Sequence, residues 1–291
     1  MHVVVDNSCD VRRNRGMHRP RSSRPWLSII IIVASLTLAL AGCATNGARI
    51  DDSARDAGLQ KSVVPGGLYS HVVYEKRSAA RPGSLFVFLE GDGSPWGSSG
   101  MHPAADPTTR DPLALRLMIA TDASSIYVAR PCYQDRVDAL CSADRWTGGR
   151  YADDIVASMV SVIDSESTRL QAKQLVIVGY SGGGALAVLI AERLHNVTAV
   201  ITIGANLDIA AWAEHHHYLP LSQSLNPANS ALAHPWKEFH FSGGKDAIVP
   251  AATADLYFKR YPQAQRFTVD NSDHVCCWES DWHSILERLE L

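Results

Sequence analysis

The amino-acid sequence predicts an α/β fold in which a mostly parallel central sheet is covered by helices on both faces. Short apolar segments rich in β-branched residues alternate with longer segments of helical periodicity from residue 71 onward. The short segments are apolar almost throughout, which is typical of strands buried on both faces of a parallel sheet. The chain has 291 residues, of which 46% are hydrophobic and 20% charged. This composition suffices for one large core and excludes a disordered or collagen-like chain.

Seven segments are predicted strands, because each is an apolar run bounded by glycine, proline or a polar turn. In chain order they are residues 71–76, 84–90, 125–131, 174–181, 199–208, 239–244 and 265–270. Five segments are predicted helices, because their apolar residues recur at helical spacing or cover most faces of a helix. They are residues 112–122, 153–170, 182–196, 252–262 and 279–290. No repeat or internal linker interrupts this alternation, so we expect one domain over residues 67–291.

Residues 1–42 are predicted to be a signal peptide. Arginines precede an uncharged apolar run from Trp26 to Gly42, which is at the short limit for a membrane span and fits the apolar region of a signal peptide. The segment LAGC that ends at Cys43 resembles the lipobox of bacterial lipoproteins, which implies a lipid on this cysteine. The alternative is an uncleaved membrane anchor in which the cysteine is incidental. Met17 opens a more typical signal peptide than Met1.

The resemblance to lipoproteins implies a domain held in the cell envelope, outside the cytoplasm. Ala44 rather than an aspartate follows the cysteine, which in lipoproteins of Gram-negative type implies the outer membrane, on its periplasmic side. Residues 43–66 are polar with glycine and alanine, so we expect a flexible tether between anchor and domain.

The net charge argues against nucleic acid as a partner. The chain carries 27 basic and 30 acidic residues, a formal charge of −3. Six arginines and two aspartates lie in residues 1–42, so 21 basic and 28 acidic residues remain, a balance of −7. A mildly acidic domain has no electrostatic attraction for a phosphate backbone.

Four cysteines remain when the leader is removed and Cys43 carries lipid. An oxidising compartment favours disulfides, and we expect a bridge between Cys132 and Cys141. The vicinal Cys276 and Cys277 are expected to pair poorly with each other. Other connectivities of the four cysteines stay open.

The strongest chemical signal is the segment GYSGG, residues 179–183, which follows a predicted strand and opens a buried helix. A serine flanked by glycines in a tight strand–turn–helix context is typical of a nucleophile elbow. A side chain in place of those glycines would clash with the neighbouring strand and helix. The alternative is a phosphate-binding turn, but the segment has no lysine and does not fit the dinucleotide spacing. We therefore expect Ser181 to be a nucleophile.

Two polar residues after the last two predicted strands complete a catalytic pattern with Ser181. Asp246 lies in the segment GGKDAIVP and His274 in the segment NSDH. The carboxyl ends of parallel strands meet at one edge of a sheet, so we expect the three side chains to lie close together. Their order and contexts resemble the α/β-hydrolase superfamily over residues 70–291. The resemblance implies that His274 is the general base and then acid, and that Asp246 orients it.

Asp208 is an alternative for the acid, because it also follows a predicted strand and some superfamily members use that position. The G-G-x-D-x-x-V-P context favours Asp246. Asp273 precedes the histidine and is expected to cap a turn.

The resemblance implies an oxyanion hole with two backbone donors. One is the N–H of Gly182, and the other is the N–H of Asp92, with Gly93 as the next choice. Glu90 replaces the histidine that commonly begins this loop. A carboxylate beside an oxyanion would repel it, so we expect the Asp92 side chain to point outward or to hold the loop. The segments EGDGSPW, RPC and HVCCW resemble one bacterial subgroup of secreted α/β-hydrolases, for which no substrate is implied.

Residues 211–228 lie where superfamily members often insert a cap, and we expect them to form a wall over the site. His216 or Tyr218 is then expected to touch substrate, and the segment is too short for a large lid, so a small cap or none is predicted. The run His215 to His217 does not predict a metal site, because adjacent side chains do not share a face. No cofactor and no metal are expected. Four tryptophans are expected to be packing anchors: Trp96, Trp146, Trp278 and Trp282.

Together these features predict an extracytoplasmic, membrane-anchored serine hydrolase that cleaves a small-molecule acyl ester. A peptidase or thioesterase of the same fold is an alternative, because the three residues do not determine the leaving group. A non-catalytic envelope lipoprotein that keeps the fold for binding is another. The sequence carries no signal for an oligomeric state.

Overall fold

A computed structural model describes residues 45–135, 138–230 and 235–290 of the chain. The strands in these residues are β1 (Gln60–Pro65), β2 (Ser70–Lys76), β3 (Ser84–Leu89), β4 (Ser125–Val128), β5 (Gln174–Tyr180), β6 (Val197–Ile203), β7 (Lys237–Gly243) and β8 (Gln265–Val269). The α-helices are α1 (Asn46–Asp56), α2 (Leu113–Ile119), α3 (Asp153–Arg169), α4 (Gly182–Ala191), α5 (Ile209–His215), α6 (Asp255–Arg260) and α7 (Trp278–Arg288). Short 3-10 helices lie at Ala143–Arg145, Pro227–Asn229 and Ala251–Ala254.

The strands form one sheet in the order β1-β2-β4-β3-β5-β6-β7-β8. Strands β3 to β8 run parallel to one another, whereas β2 is antiparallel to both β1 and β4. The predicted α/β fold with a mostly parallel sheet is therefore confirmed. The carboxyl ends of β3 to β8 share one side of the sheet, which we call the carboxyl edge.

Apolar cores cover both faces of the sheet, because alternate residues of a strand point to opposite faces. In β3, Val87 packs in one core with α3 and α4, whereas Phe86 and Phe88 pack in the other with α1, α2 and α7. Trp278 and Trp282 of α7 are fully buried in this second core. These two tryptophans are packing anchors, as predicted.

The first described residues are folded, which differs from the expected flexible tether over residues 43–66. The Thr45 side chain accepts a hydrogen bond from the Ala48 N–H and so caps α1. Ile50 and Ala54, one helical turn apart, are buried in the second core. Strand β1 then pairs along its whole length with β2. The tether prediction is wrong for these residues, because two apolar side chains at helical spacing anchor a helix that is otherwise polar.

The predicted signal peptide, residues 1–42, and the predicted lipid attachment at Cys43 lie outside the described residues and stay predictions. Among the residues that are described, none of the helices combines the length and apolar character needed to cross a bilayer.

Candidate active site

Three predicted side chains meet at the carboxyl edge. Ser181 follows β5, Asp246 lies in the turn after β7, and His274 lies in the loop after β8. The Nδ1 atom of His274 lies 2.8 Å from Oδ2 of Asp246, and its Nε2 atom lies 3.0 Å from Oγ of Ser181. Both are hydrogen-bonding distances. The structure thus joins the three side chains in one chain of hydrogen bonds.

Ser181 occupies a strained turn between β5 and α4. Its φ of 52° and ψ of −123° lie in a region that residues with a side chain rarely adopt. Its N–H donates to the carbonyl of Ile203 in β6 at 2.8 Å, which holds the turn. Gly183 faces the end of β3, where an added Cβ would lie 2.2 Å from the carbonyl oxygen of Leu89. Only glycine lets α4 begin this close to the sheet, which is the local geometry that GYSGG predicts.

The turn after β7 orients the Asp246 carboxylate. Its Oδ1 atom accepts the N–H groups of Ile248 at 2.9 Å and of Val249 at 2.8 Å. Its Oδ2 atom is thereby presented to His274. Two backbone N–H donors of the segment DAIVP therefore hold the carboxylate in place.

The other two aspartates have different partners. The Oδ1 atom of Asp208 accepts the N–H groups of Ala210 and Ala211 and so caps α5. Asp273 Oδ1 accepts the N–H groups of Val275 at 2.8 Å and Cys276 at 2.6 Å, the turn-capping role expected of it. Of the three aspartates, Asp246 is therefore the one whose carboxylate contacts the His274 imidazole.

The Asp92 side chain is 17% exposed and turns inward toward two arginines. Its carboxylate forms ion pairs with Arg130 and Arg150, both at 2.8 Å, and accepts the hydroxyl of Tyr151 at 2.7 Å. Burial alone would raise the pKa of Asp92, but Arg150 and Arg130 together hold that pKa below its ordinary value. The carboxylate also packs on Gly182, where an added Cβ would lie 2.0 Å from Asp92 Oδ1. It holds the loop after β3 against the start of α4.

Sequence reasoning singled out Arg130 only as part of a motif and passed over Arg150 and Tyr151. One signal could have found them. An aspartate in a loop that must face an oxyanion needs positive partners, so the signal is an arginine near a neighbouring strand end.

Two backbone amides beside Ser181 have no protein acceptor among the described residues. They are the N–H groups of Asp92 and Gly182. The Gly91 N–H, in contrast, donates to the Glu90 carboxylate at 3.2 Å. An added Cβ on Gly91 would lie 3.2 Å from Ser181 Cβ, so this loop runs directly beside the serine.

Glu90 is a buried carboxyl at the end of β3 that sequence analysis noted only as a departure. It accepts the N–H of Ala114 at 3.1 Å and so caps the start of α2. Burial raises its pKa to about 7, although the backbone N–H groups of Gly91, Ala114 and Leu115 oppose the rise. Its charge therefore changes near neutral pH.

Both pairs of cysteines are bonded in the structure. Cys132 is bonded to Cys141, as expected. Cys276 is bonded to Cys277, which differs from the expectation that these neighbours pair poorly. Cys277 has a φ of 85° at the start of α7, and this left-handed turn brings the two side chains together. The vicinal pair lies in the exposed loop that follows His274.

A cavity of about 910 Å³ opens over Ser181 and His274. The polar residues that line it include Asp111, Asp144 and Arg150, and the apolar ones include Trp96, Trp212, Leu219, Ile248 and Val275. Trp96 is 45% exposed, so it lines the cavity opening and is not the packing anchor that was expected.

Helix α5 and the residues after it form the expected wall over the site. Tyr218 lines the cavity, whereas His216 Nε2 donates to the Ile248 carbonyl at 2.9 Å and braces the turn after Asp246. Among the described residues between β6 and β7, the regular structure is α5 and one 3-10 helix. No cluster of potential metal ligands is present in the part of the chain that the structure describes.

Comparisons with known proteins support the fold. No family model matches the sequence, and no curated protein matches it significantly. The chain is similar to the structure of an esterase of Pyrococcus furiosus, with a TM-score of 0.55 and 12% identity over 81% of this chain and 93% of that one. It is similar to a bacterial membrane phospholipase A, with a TM-score of 0.56 and 14% identity over 92% of this chain and 98% of that one. It is also similar to mouse alpha/beta hydrolase domain-containing protein 10, with a TM-score of 0.53 and 13% identity over 79% and 97% of the two chains.

The eight-stranded, mostly parallel sheet and these structural neighbours together identify the fold. The chain has the α/β-hydrolase fold.

Proposed function

We propose that this protein is a serine hydrolase of the cell envelope that cleaves a carboxylic ester and is held to the membrane by a lipid on Cys43. The observation that carries the proposal is the hydrogen-bonded chain of Ser181, His274 and Asp246 beside a cavity that apolar side chains help to line. A serine hydroxyl in contact with an oriented imidazole is an activated nucleophile.

In the proposed reaction, Ser181 Oγ bonds to the ester carbonyl carbon while His274 Nε2 accepts the hydroxyl proton. The tetrahedral intermediate collapses when the alcohol leaves with that proton, and an acyl group stays on Ser181. Water then adds to the acyl carbon as His274 accepts one of its protons. Collapse of this second intermediate returns the proton to Ser181 Oγ and releases the carboxylic acid. Asp246 remains ionised and stabilises the imidazolium in both halves.

The Gly182 and Asp92 amides are the proposed donors to the negative oxygen of each intermediate. Both lie beside Ser181 and are not committed to another described protein group. Preorganised amides of this kind stabilise a developing oxyanion. Arg130 and Arg150 neutralise the nearby Asp92 carboxylate, which reduces its repulsion of that oxyanion.

An ester is favoured over a peptide bond for two reasons. Two structural neighbours are described as an esterase and a phospholipase A. The apolar side chains that line the cavity also suit an acyl chain.

The catalytic part of the proposal is tested by treating the full chain with a fluorophosphonate and mapping the adduct by mass spectrometry. We expect one adduct on Ser181, lost in Ser181→Ala. Turnover of p-nitrophenyl acyl esters over p-nitroanilides would then select an esterase over a peptidase. A folded wild-type protein that stays unlabelled would overturn the proposal and favour a binding role.

The anchor is tested separately in cells fed labelled palmitate. We expect label on the wild-type chain and none on Cys43→Ser. Equal membrane retention of both chains, with no label on either, would identify an uncleaved apolar anchor instead.

A further inference from the structure

Exposed apolar side chains are concentrated around the cavity. Ten large apolar side chains are strongly exposed in the described residues, and five of them line the cavity: Trp96, Tyr218, Leu219, Ile248 and Val275. Met101, 74% exposed, lies in the same loop as Trp96 and next to the cavity-lining Gly100. We call these six side chains the apolar rim. Single exposed apolar residues are ordinary, but several that line or adjoin one cavity indicate an interaction site.

The rim is built from braced loops. The loop that carries Met101 is closed by backbone hydrogen bonds, one of them from the Gly97 N–H to the His102 carbonyl at 2.9 Å. At another part of the rim, the Trp212 indole N–H donates to the Ile248 carbonyl at 2.8 Å. The rim is therefore a preformed surface, so binding would not have to order it.

The start of the described chain lies at the same edge as the rim. Thr45 Oγ1 donates to Asp135 at 2.8 Å, in the loop after β4. Asn46 Nδ2 donates to the carbonyl of Thr108 at 3.1 Å, and the next residue, Thr109, lines the cavity. Cys43 precedes Thr45 by two residues, which span at most about 7 Å of extended chain. The predicted anchor would therefore be joined to the domain at the carboxyl edge.

From these observations we propose that the apolar rim rests on the lipid bilayer and that the substrate is an acyl lipid that enters the cavity directly from that bilayer. This proposal rests on the proposed hydrolase function and names the substrate class of its site. Tryptophan and tyrosine favour the boundary between lipid and water, because each has an apolar ring and a polar atom. A rim of Trp96, Tyr218 and aliphatic residues has this composition. The anchor would keep the rim at the membrane, so the site would meet lipids rather than dilute solutes.

The orientation is tested with the full chain in phosphatidylcholine vesicles whose acyl chains carry bromine, a quencher of tryptophan fluorescence. Met101→Trp places a reporter on the rim. Leu256→Trp, at an exposed position of α6 that does not line the cavity, is the matched control. We expect bromine to quench the added fluorescence at position 101 at least twice as strongly as at position 256. Equal quenching at the two positions would overturn the docking surface and favour a protein partner for the rim.

Substrate entry is tested by comparing two substrates, phosphatidylcholine in vesicles and soluble p-nitrophenyl butyrate. The double variant Met101→Asp with Leu219→Asp is expected to lower the ratio of vesicle to soluble turnover at least tenfold, because charges on the rim oppose contact with lipid. Leu256→Asp should leave that ratio unchanged. An unchanged ratio in the rim variant would contradict the proposal.

The two proposals fail in different ways. Absence of both soluble-ester turnover and fluorophosphonate labelling would overturn the hydrolase function, regardless of how strongly bromine quenches the tryptophan fluorescence. Turnover of the soluble ester together with equal quenching at positions 101 and 256 would overturn only the proposed docking of the rim on the bilayer.

Discussion

Asp246 and Asp208 follow neighbouring strands, and their hydrogen bonds assign them different tasks. Asp246 faces His274 Nδ1, whereas Asp208 caps α5. We predict that Asp246→Asn lowers kcat for a soluble ester by about 10³ to 10⁴, because the amide no longer holds the imidazole in its productive tautomer. Asp208→Asn keeps an oxygen that can cap the helix and should leave kcat within about twofold. Steady-state kinetics on both variants tests this prediction. A larger loss of kcat in Asp208→Asn than in Asp246→Asn would assign the orienting carboxylate to Asp208.

Glu90 makes stability depend on pH. Its pKa is about 7 in the folded chain and 4.5 as an isolated group, because it is buried. Between these values the folded state binds more protons than the unfolded state, so the free energy of unfolding falls as pH rises from about 4.5 to 7. The loss amounts to about 3 kcal/mol, at 1.36 kcal/mol per unit of pKa.

We therefore predict that Glu90→Gln removes this part of the pH dependence. Urea unfolding at pH 5 and pH 8 should show that the free energy of unfolding at pH 8, minus that at pH 5, is more positive in the variant than in the wild type by about 2.5 kcal/mol. The same difference in both proteins would mean that Glu90 is ionised throughout this range.

At the scale of elements, the seven predicted strands and five predicted helices are all present, because the strands are apolar almost throughout and the helices have a strong apolar pattern. Helices α1 and α5 and strand β1 were not predicted, because few of their side chains are buried. Helix α1 buries Ile50 and Ala54 among polar neighbours, and the residues of β1 are mostly exposed. The mostly polar composition of these segments led to the prediction of a tether. In the structure, pairing of β1 with β2 holds that strand in place.

The three residues of the site were predictable because each lies in a strand-end motif. The ion pairs of Asp92 with Arg130 and Arg150 were not predictable, because both arginines are distant from Asp92 in sequence and meet it only in the fold. Local patterns carry no information on such partners, and only the partly buried charge of Asp92 demands them.

The role of α1 is tested by a pair of neighbouring residues. Ile50 is fully buried, whereas Arg49 is exposed. Ile50→Ala should lower the free energy of unfolding by about 2 to 5 kcal/mol through lost burial and a cavity. Arg49→Ala should change it by less than about 0.5 kcal/mol. If urea unfolding gave both variants the wild-type free energy of unfolding, this segment would be a tether that does not stabilise the domain.

At the scale of the whole molecule, the two disulfides differ in how much chain they constrain. Cys132 and Cys141 are nine residues apart, whereas Cys276 and Cys277 are adjacent. A disulfide stabilises mainly by limiting the unfolded chain, and the effect grows with loop length. We predict that replacing the first pair by serines lowers the free energy of unfolding by about 2 to 3 kcal/mol.

Serines in place of the vicinal pair form the matched control and should change stability by less than about 1 kcal/mol. Denaturant unfolding of both double variants makes the comparison. A larger loss from the vicinal pair would show that the loop after His274, rather than loop closure, dominates the effect.

The edge position of β1 has a consequence for self-association. Strand β2 is buried along most of its length, and β1 occupies its outer side. A chain cut at residue 67 would leave the backbone groups of an apolar strand open to pairing with another copy. Strand β1 is itself a poor template, since it is short, carries Lys61 and ends at Pro65. If the proposed anchor crowds molecules side by side on a membrane, this short, mostly exposed strand would limit aggregation by covering β2. Release of β1 would then lower the amount of folded protein without changing the residues of the candidate site.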